Sequence, residues 1–213
     1  MLNYYYGDSI DLFLGKSTSQ IIGEITLSNQ FDSNQNTNKS WVSQIELLQL
    51  KLSGMKGHIY FEFSIPRMGK RVDCLLIIQN VIFVIEFKVG EKEFLSANFE
   101  QVWDYALDLK NFHKPSHDAL IVPILLATEA KELDYQFIET VYDDKLTKPF
   151  KANKRNIRDI INLCLINYGN SSQIDALDFI TGSYSPTPTI IEAAVSMYKN
   201  HTVEEITRND ADA

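Results

Sequence analysis

Apolar residues form four short runs in the central part of the chain. One run alternates between apolar and polar side chains, and the other three are almost continuously apolar. Alternation is typical of a strand with one covered face, and a continuous short run is typical of a strand covered on both faces. We therefore predict four strands, over residues 58–65, 72–78, 81–89 and 119–128.

Two segments with apolar residues at helical spacing lie around these strands. They predict a helix over 43–54, before the first strand, and a longer helix over 97–113 with Ser96 as its N-cap. The second helix connects the third and fourth strands, and such a unit implies a right-handed parallel crossover. The predicted fold is therefore α/β, with a mixed central sheet flanked by helices.

The segments on either side of this core differ from it in pattern. Residues 1–40 are polar and irregular, and we expect them to pack on the core without regular structure. The core itself is placed at residues 41–130. We predict that residues 131–213 form a helical extension, with one further strand and three helices, over 135–143, 155–168, 172–180 and 188–200.

The distribution of charge limits which part of the chain can contact nucleic acid. The net charge of −8 argues against a general nucleic-acid-binding protein. Residues 51–128, however, carry nine basic and nine acidic side chains, so this segment is balanced. A bound divalent cation would cancel part of its negative charge. We therefore expect any contact with a polyanion in this segment.

Cysteine usage and hydropathy bear on the location of the protein. Cys74 and Cys164 form no CxxC pair and lie in apolar runs, so we expect reduced core residues rather than a disulfide or zinc site. No stretch approaches the ~18 apolar residues of a membrane span, and the N-terminus lacks the basic segment of a secretory signal. These features predict a cytoplasmic protein with no membrane association.

Three ionisable residues interrupt the two most apolar runs. Asp73 opens the first, and Glu86 and Lys88 lie two apart near the end of the second, so both point to one face. A hairpin turn at Gln79 and Asn80 places Asp73 opposite Glu86. Two carboxylates and one ammonium in apolar surroundings are costly unless they are paired or bind a metal. The alternative is a surface Glu86–Lys88 ion pair with Asp73 exposed.

The spacing D-x12-E-F-K across a hairpin resembles the PD-(D/E)XK nuclease superfamily. Asp73 matches its motif Asp, although Val72 stands where the motif has Pro, and Glu86-Phe87-Lys88 matches its tripeptide. Gln101-Val-Trp-Asp-Tyr105 is similar to the QxxxY motif of RecB-like members. The family's restriction-endonuclease-like α-β-β-β-α-β core is similar to the predicted order of elements.

The resemblance implies a role for each matching residue. Asp73, Glu86 and the Phe87 carbonyl would bind Mg²⁺ or Mn²⁺, and Lys88 would orient water and stabilise developing charge. Gln101 and Tyr105, one helical turn apart, would fix the substrate phosphate or the water. An acidic residue of the first helix often joins such sites, and the residue at the matching position is Glu46.

A closer resemblance concerns the surroundings of the domain. The strings IPRMGKRVDCLLI, VIFVIEFKVG, QVWDYALDLKNFH and SPTPTIIEAA resemble the N-terminal region of bacterial Schlafen-like helicase-type ATPases. This implies that a P-loop ATPase domain would follow residues 131–213. Gly15-Lys16-Ser17 is not that P-loop, because Ile10 stands where the motif needs glycine.

The expected substrate is DNA, with RNA as the alternative. Arg67, Lys70 and Arg71 precede Asp73 and are predicted to contact phosphates, although a solvated basic turn explains them equally well. The rival function is a catalytically inactive module with the same fold that binds nucleic acid or protein beside a helicase-type ATPase. A homodimer is left open. For Glu62 a solvent-facing strand position is favoured over a role as a further metal ligand.

Overall fold

A six-stranded mixed sheet forms the centre of the protein. The computed structural model describes residues 3–28, 35–65, 69–131, 142, 144–188, 190, 191 and 194. The strands lie in the sheet in chain order. They are β1 (Tyr6–Ser9), β2 (His58–Ser64), β3 (Arg71–Ile78), β4 (Val81–Lys88), β5 (Leu120–Ala127) and β6 (Phe150–Ala152).

The pairing of these strands changes direction at β4. The pairs β1–β2, β2–β3 and β3–β4 are antiparallel, whereas the pairs β4–β5 and β5–β6 are parallel. Ile78 pairs with Val81 and Cys74 with Ile85, so the predicted hairpin register is confirmed. The turn at Gln79 places that residue at a φ of 57°. The connection from β4 to β5 is the predicted parallel crossover.

Helices cover both faces of the sheet. Buried residues of α1 (Ile10–Gly15), α2 (Thr18–Ser28), α3 (Gln35–Lys51) and α5 (Ile157–Tyr168) form one apolar cluster with one face. The other face packs against α4 (Ser96–Phe112) and α6 (Ala176–Ile180). We call the first apolar cluster, including the strand residues on that face, the α3 layer, and the second the α4 layer. The α/β class with a mixed sheet flanked by helices is thus confirmed.

The prediction that residues 1–40 lack regular structure is wrong. This segment contains β1, α1, α2 and the start of α3, which begins at Gln35 rather than at residue 43. Ser9 caps α1, since its hydroxyl accepts a hydrogen bond from the Leu12 backbone N–H at 3.3 Å. Ile10 and Phe13 of α1 and Ile21 and Ile25 of α2 are fully buried in the core, whereas Leu12 and Leu27 are exposed, so burial of one face rather than intrinsic propensity stabilises these helices.

The elements around and after the core agree with prediction to different degrees. The helix predicted over 97–113 is α4, but its N-cap is Leu95 and not Ser96. The predicted helix over 155–168 is present as α5, and α6 is shorter than the predicted 172–180. The strand predicted over 135–143 and the helix over 188–200 lie largely outside the described residues. Within the described part of the chain, no helix is long and apolar enough to cross a membrane.

A buried histidine joins the end of α4 to α6. His113 Nδ1 lies 2.7 Å from the Ser116 hydroxyl, and its Nε2 lies 3.0 Å from the backbone oxygen of Phe179. The Phe179 ring meets the imidazole edge-on with centroids 4.6 Å apart. Burial lowers the pKa of His113 to about 4, so the imidazole is neutral in the folded protein at neutral pH.

Stability should therefore fall in acid as His113 is titrated. The unfolded chain takes up the proton near pH 6.5, whereas the folded protein does so only near a pKa of about 4. Between these values the unfolded state binds more protons, so acidification from pH 7 to pH 4.5 should lower the free energy of unfolding by about 2 kcal/mol through this group. Urea unfolding of the parent and of His113→Gln at pH 7 and at pH 4.5 measures this loss of stability. Equal pH dependence in the two proteins would contradict the assignment.

Candidate metal centre

The three ionisable residues predicted from the hairpin lie together where β3 begins and β4 ends. Asp73 is in β3, and its Oδ2 accepts a hydrogen bond from the Phe87 backbone N–H at 2.9 Å. Glu86 and Lys88 are in β4, and Lys88 Nζ donates to Glu86 Oε1 at 2.8 Å. The hairpin therefore holds both carboxylates and the ammonium on rigid backbone.

Helix α4 continues this hydrogen-bonded chain. Lys88 Nζ also donates to Gln101 Oε1 at 3.0 Å, and Gln101 Nε2 donates to the Tyr105 hydroxyl at 2.8 Å. Gln101 and Tyr105 meet because residues four apart are neighbours on a helix surface. Val102 and Ala106 are fully buried in the α4 layer, so packing fixes the distance between helix and site. The structure thus brings together five of the residues predicted from sequence: Asp73, Glu86, Lys88, Gln101 and Tyr105.

Burial makes the two carboxylates unusually basic. Glu86 is only 3% exposed, and burial raises its pKa despite the opposing hydrogen bond from Lys88. Asp73 is half-buried, and burial followed by the neighbouring charge of Glu86 holds its pKa well above the usual range. Glu86 Oε2 is buried, and no described residue forms a hydrogen bond with it. One ammonium therefore does not compensate two buried acids, and the pair has an affinity for a proton or a cation.

A third carboxylate, which the sequence analysis did not favour, lies beside this pair. Phe61 pairs with Cys74 and Phe63 with Val72, so Glu62 lies across from Asp73 on the neighbouring strand. Its side chain is only 14% exposed, so the favoured solvent-facing position is wrong. Its negative charge contributes to the raised pKa of both Asp73 and Glu86.

Glu62 is held by two neighbours and by an unusual backbone. Its Oε1 accepts a hydrogen bond from Trp41 Nε1 at 2.9 Å, and its Oε2 lies 3.4 Å from Arg71 Nε. Its φ of 54° is uncommon for a residue other than glycine. Phe61 lies in the α3 layer whereas Phe63, two positions on, lies in the α4 layer, so the strand changes face at Glu62. Strained backbone of this kind is concentrated at functional sites.

The basic residues predicted to contact phosphates are engaged with protein groups. Lys70 Nζ lies 2.8 Å from Asp108 Oδ2, and this hydrogen bond raises the pKa of Lys70. Arg71 donates to the Tyr5 hydroxyl and lies over the Tyr5 ring, in addition to its contact with Glu62. Arg67 lies outside the described residues. Lys70 and Arg71 would have to exchange an acidic partner for a phosphate.

Glu46, the predicted auxiliary acid, is not brought to the site. It is exposed on α3. The α3 residue that reaches the carboxylates is Trp41, five positions earlier and therefore about 140° away around the helix. Helical periodicity places the acid at position 46 on the solvent side whenever Trp41 faces the sheet.

The donor set fits a hard divalent cation with few protein ligands. Among the described residues, no three His, Cys, Asp or Glu side chains are gathered as a ready-made metal site. Mg²⁺ typically needs only one or two carboxylates and keeps several waters. Asp73 and Glu86 supply these, and Glu86 Oε2 lacks any other partner. The Phe87 N–H donates to Asp73. In a strand the carbonyl of a residue points to the same side as its N–H, so the Phe87 carbonyl also points toward the side on which Asp73 lies.

Comparisons with known proteins add little to this geometry. No protein-family model and no curated protein matches the chain. Among solved structures, the chain is similar to the crystal structure of protein VC1899 from Vibrio cholerae, at 10% sequence identity and a TM-score of 0.34. The match covers 78% of this chain and 46% of that one, so the chain spans less than half the length of the solved protein. We draw no function from a likeness at this level.

Proposed function

We propose that this chain is a metal-dependent nuclease of the PD-(D/E)XK superfamily, RecB-like QxxxY type, that hydrolyses phosphodiester bonds of DNA. The succession α3, β2, β3, β4, α4, β5 supports a restriction-endonuclease-like core. The motif residues of the resemblance are also those that the structure links by hydrogen bonds. We expect the motif residues and the hydrogen-bonded network to coincide at a functional site, and packing alone does not require that they do.

The observation that carries the proposal is the Glu86 carboxylate. One of its oxygens is bound by Lys88, and the other is buried where only a proton shared with the neighbouring Asp73 carboxyl or a bound cation can satisfy it among the described residues. Leaving a charged oxygen buried and unpaired costs more than 1 kcal/mol. A glutamate with a purely structural role gains nothing that would offset this cost. A divalent cation between Asp73 and Glu86 would satisfy that oxygen and offset the charge.

Each residue has a definite task in the proposed reaction. Asp73, Glu86 and the Phe87 carbonyl would hold Mg²⁺ or Mn²⁺, which supplies Lewis acidity and charge neutralisation at the scissile phosphate. Lys88 positions the attacking water and stabilises negative charge that develops on the phosphate oxygens. Gln101 holds Lys88 in place through its amide oxygen.

Tyr105 supplies a donor for the substrate. Burial raises the pKa of its hydroxyl, so the proton is retained at neutral pH. Because the hydroxyl oxygen accepts the Gln101 amide hydrogen, its own proton is free to be donated to a phosphate oxygen of the substrate. A phenol in this state orients the phosphate without adding charge.

A second candidate is a catalytically inactive module of the same fold that binds nucleic acid or protein beside a helicase-type ATPase. It is favoured by one observation, the engagement of Lys70 and Arg71 with Asp108 and Glu62. Together with a net charge of −8, this leaves little positive charge near the centre to attract a polyanion. Such a module would leave nucleic acid intact, and the low positive charge favours a protein partner over a polyanion.

Incubation with labelled single- and double-stranded DNA and RNA separates the two functions. We expect cleavage products with Mn²⁺ and with Mg²⁺, and none with a chelator, because the carboxylates alone cannot activate water. An inactive module that binds nucleic acid would give only a shift in gel mobility, and a protein-interaction module would give neither products nor a shift. Intact substrate in every metal, under conditions where the protein is folded, would exclude the nuclease.

A further inference from the structure

A cavity of about 300 Å³ lies on the opposite side of α4 from Gln101. It is lined by Phe94, Ser96, Phe99, Glu100 and Lys151, and we call it the α4 cleft. Phe99 and Gln101 are two positions apart on the helix and so point to opposite sides. The metal centre and the α4 cleft therefore flank the first turns of the same helix.

The register of the parallel strands places Lys151 of the cleft in the same row of paired residues as Glu86 of the metal centre. Glu86 pairs with Leu125, and Leu125 pairs with Lys151. Paired residues on neighbouring strands point to the same face, and two strand spacings amount to about 10 Å. Lys151 thus lies on the same face of the sheet as Glu86. Ligands of open α/β sheets bind at the carboxyl ends of the strands, which is where both features lie.

The cleft combines two aromatic faces with one basic and one acidic side chain, Lys151 and Glu100. Lys151 Nζ is 5.7 Å from the centroid of the Phe94 ring and 5.8 Å from that of Phe99. Lys151 is exposed and both rings are half-buried, so all three remain accessible to a ligand. Aromatic rings beside a basic groove are the means by which single-strand-binding proteins hold bases and backbone together.

We propose that the α4 cleft binds a nucleobase of a single-stranded nucleic acid whose backbone continues to the metal centre. The base stacks on Phe94 and Phe99, and the ammonium of Lys151 contacts its phosphate. Bases of a duplex are stacked on one another and cannot offer a face to these rings. The inference rests on the proposed function in taking nucleic acid as the ligand, and it specifies a single strand as the substrate class.

Fluorescence anisotropy tests the cleft independently of cleavage. The probes are a labelled twelve-nucleotide oligothymidylate, an abasic oligomer of the same length, and a duplex of the same length. Proteins carry Asp73→Asn, so that the probes are not hydrolysed. Phe99→Leu keeps the apolar packing and removes the ring. We expect it to weaken binding of oligothymidylate by about tenfold and to leave the abasic oligomer unaffected.

Lys151→Ala should act on both single-stranded probes alike. Loss of one phosphate contact should reduce the slope of log affinity against log salt by about 0.7. Lys148→Ala, which removes an exposed lysine shortly before β6, is the matched control and should leave that slope unchanged. Thermal unfolding of each variant verifies that it is folded.

The outcomes separate the cleft from the nuclease. Oligothymidylate binding that is unchanged in both Phe99→Leu and Phe94→Leu overturns the cleft, and so does a parent protein that prefers the duplex. Ring-dependent binding in a protein whose native sequence cleaves nothing with Mn²⁺ supports the cleft and removes the nuclease. Cleavage by the native sequence together with binding that is unchanged in both phenylalanine variants supports the nuclease and overturns the cleft.

Discussion

Replacement of Lys88 by alanine should lower the rate of DNA cleavage by about 10³-fold while the protein stays folded. The ammonium positions water and meets negative charge on the phosphate, and groups with these tasks contribute factors of about 10²–10⁴. In the structure Lys88 Nζ bridges Glu86 and Gln101, so alanine removes the ammonium from the middle of the hydrogen-bonded network. Single-turnover cleavage in Mn²⁺ measures the effect.

Lys92→Ala is the matched control for this prediction. Lys92 is an exposed lysine in the connection between β4 and α4, four residues after Lys88. Its removal changes the net charge equally and should change the rate less than about threefold, because exposed charges interact weakly through water. Cleavage by Lys88→Ala at the rate of Lys92→Ala would remove Lys88 from the mechanism.

Sequence patterns predicted the parts of the fold that follow from local periodicity. Runs of apolar residues predicted β2, β3, β4 and β5, and the turn at Gln79 and Asn80 fixed the register that joins Asp73 to Glu86. The N-terminal segment was predicted wrongly because α1 and α2 are short. A helix of six or eleven residues makes only about two or three turns, and the exposed Leu12 and Leu27 add apolar positions outside the buried face, so the helical period is not visible.

In the candidate site, too, the sequence predicted residues that lie within one element and missed contacts between elements. Gln101 and Tyr105 were predicted from the resemblance of residues 101–105 to the QxxxY motif, which lies within a single helix, whereas the contact of Trp41 with Glu62 spans two elements. Glu62 also lies where β2 changes face, and strict alternation assigned it to the wrong side. Its position across from Asp73 could have been derived only from the pairing of β2 with β3.

Asp73→Asn should make the metal-free protein more stable at neutral pH while abolishing cleavage. Burial and the charge of Glu86 raise the pKa of Asp73. A carboxyl whose folded pKa is raised stabilises the fold below its unfolded pKa, and that contribution is lost as the pH rises through the folded value. At pH 7, which lies above the ordinary pKa of an aspartate, burial of Asp73 beside Glu86 therefore costs stability, whether the pair keeps both charges or takes up a proton. Asparagine keeps the acceptor for the Phe87 N–H and removes the charge.

The expected gain is about 1–3 kcal/mol, or several degrees in Tm for a chain of this size. It should disappear as the pH falls toward 4, where Asp73 is protonated, and Asp104→Asn, at an exposed position on α4, should stay within about 0.5 kcal/mol of the parent.

Mn²⁺ provides the decisive comparison, because a cation that binds only the folded state raises Tm by an amount that grows with the logarithm of its concentration relative to Kd. It should raise the Tm of the parent and of Asp104→Asn, and leave that of Asp73→Asn unchanged. If Asp73→Asn is less stable than the parent at pH 7 and responds equally to Mn²⁺, then Asp73 is a structural carboxylate and the cation lies elsewhere. A stability gain together with loss of the Mn²⁺ response is expected only if the acid is retained for binding at the expense of the fold.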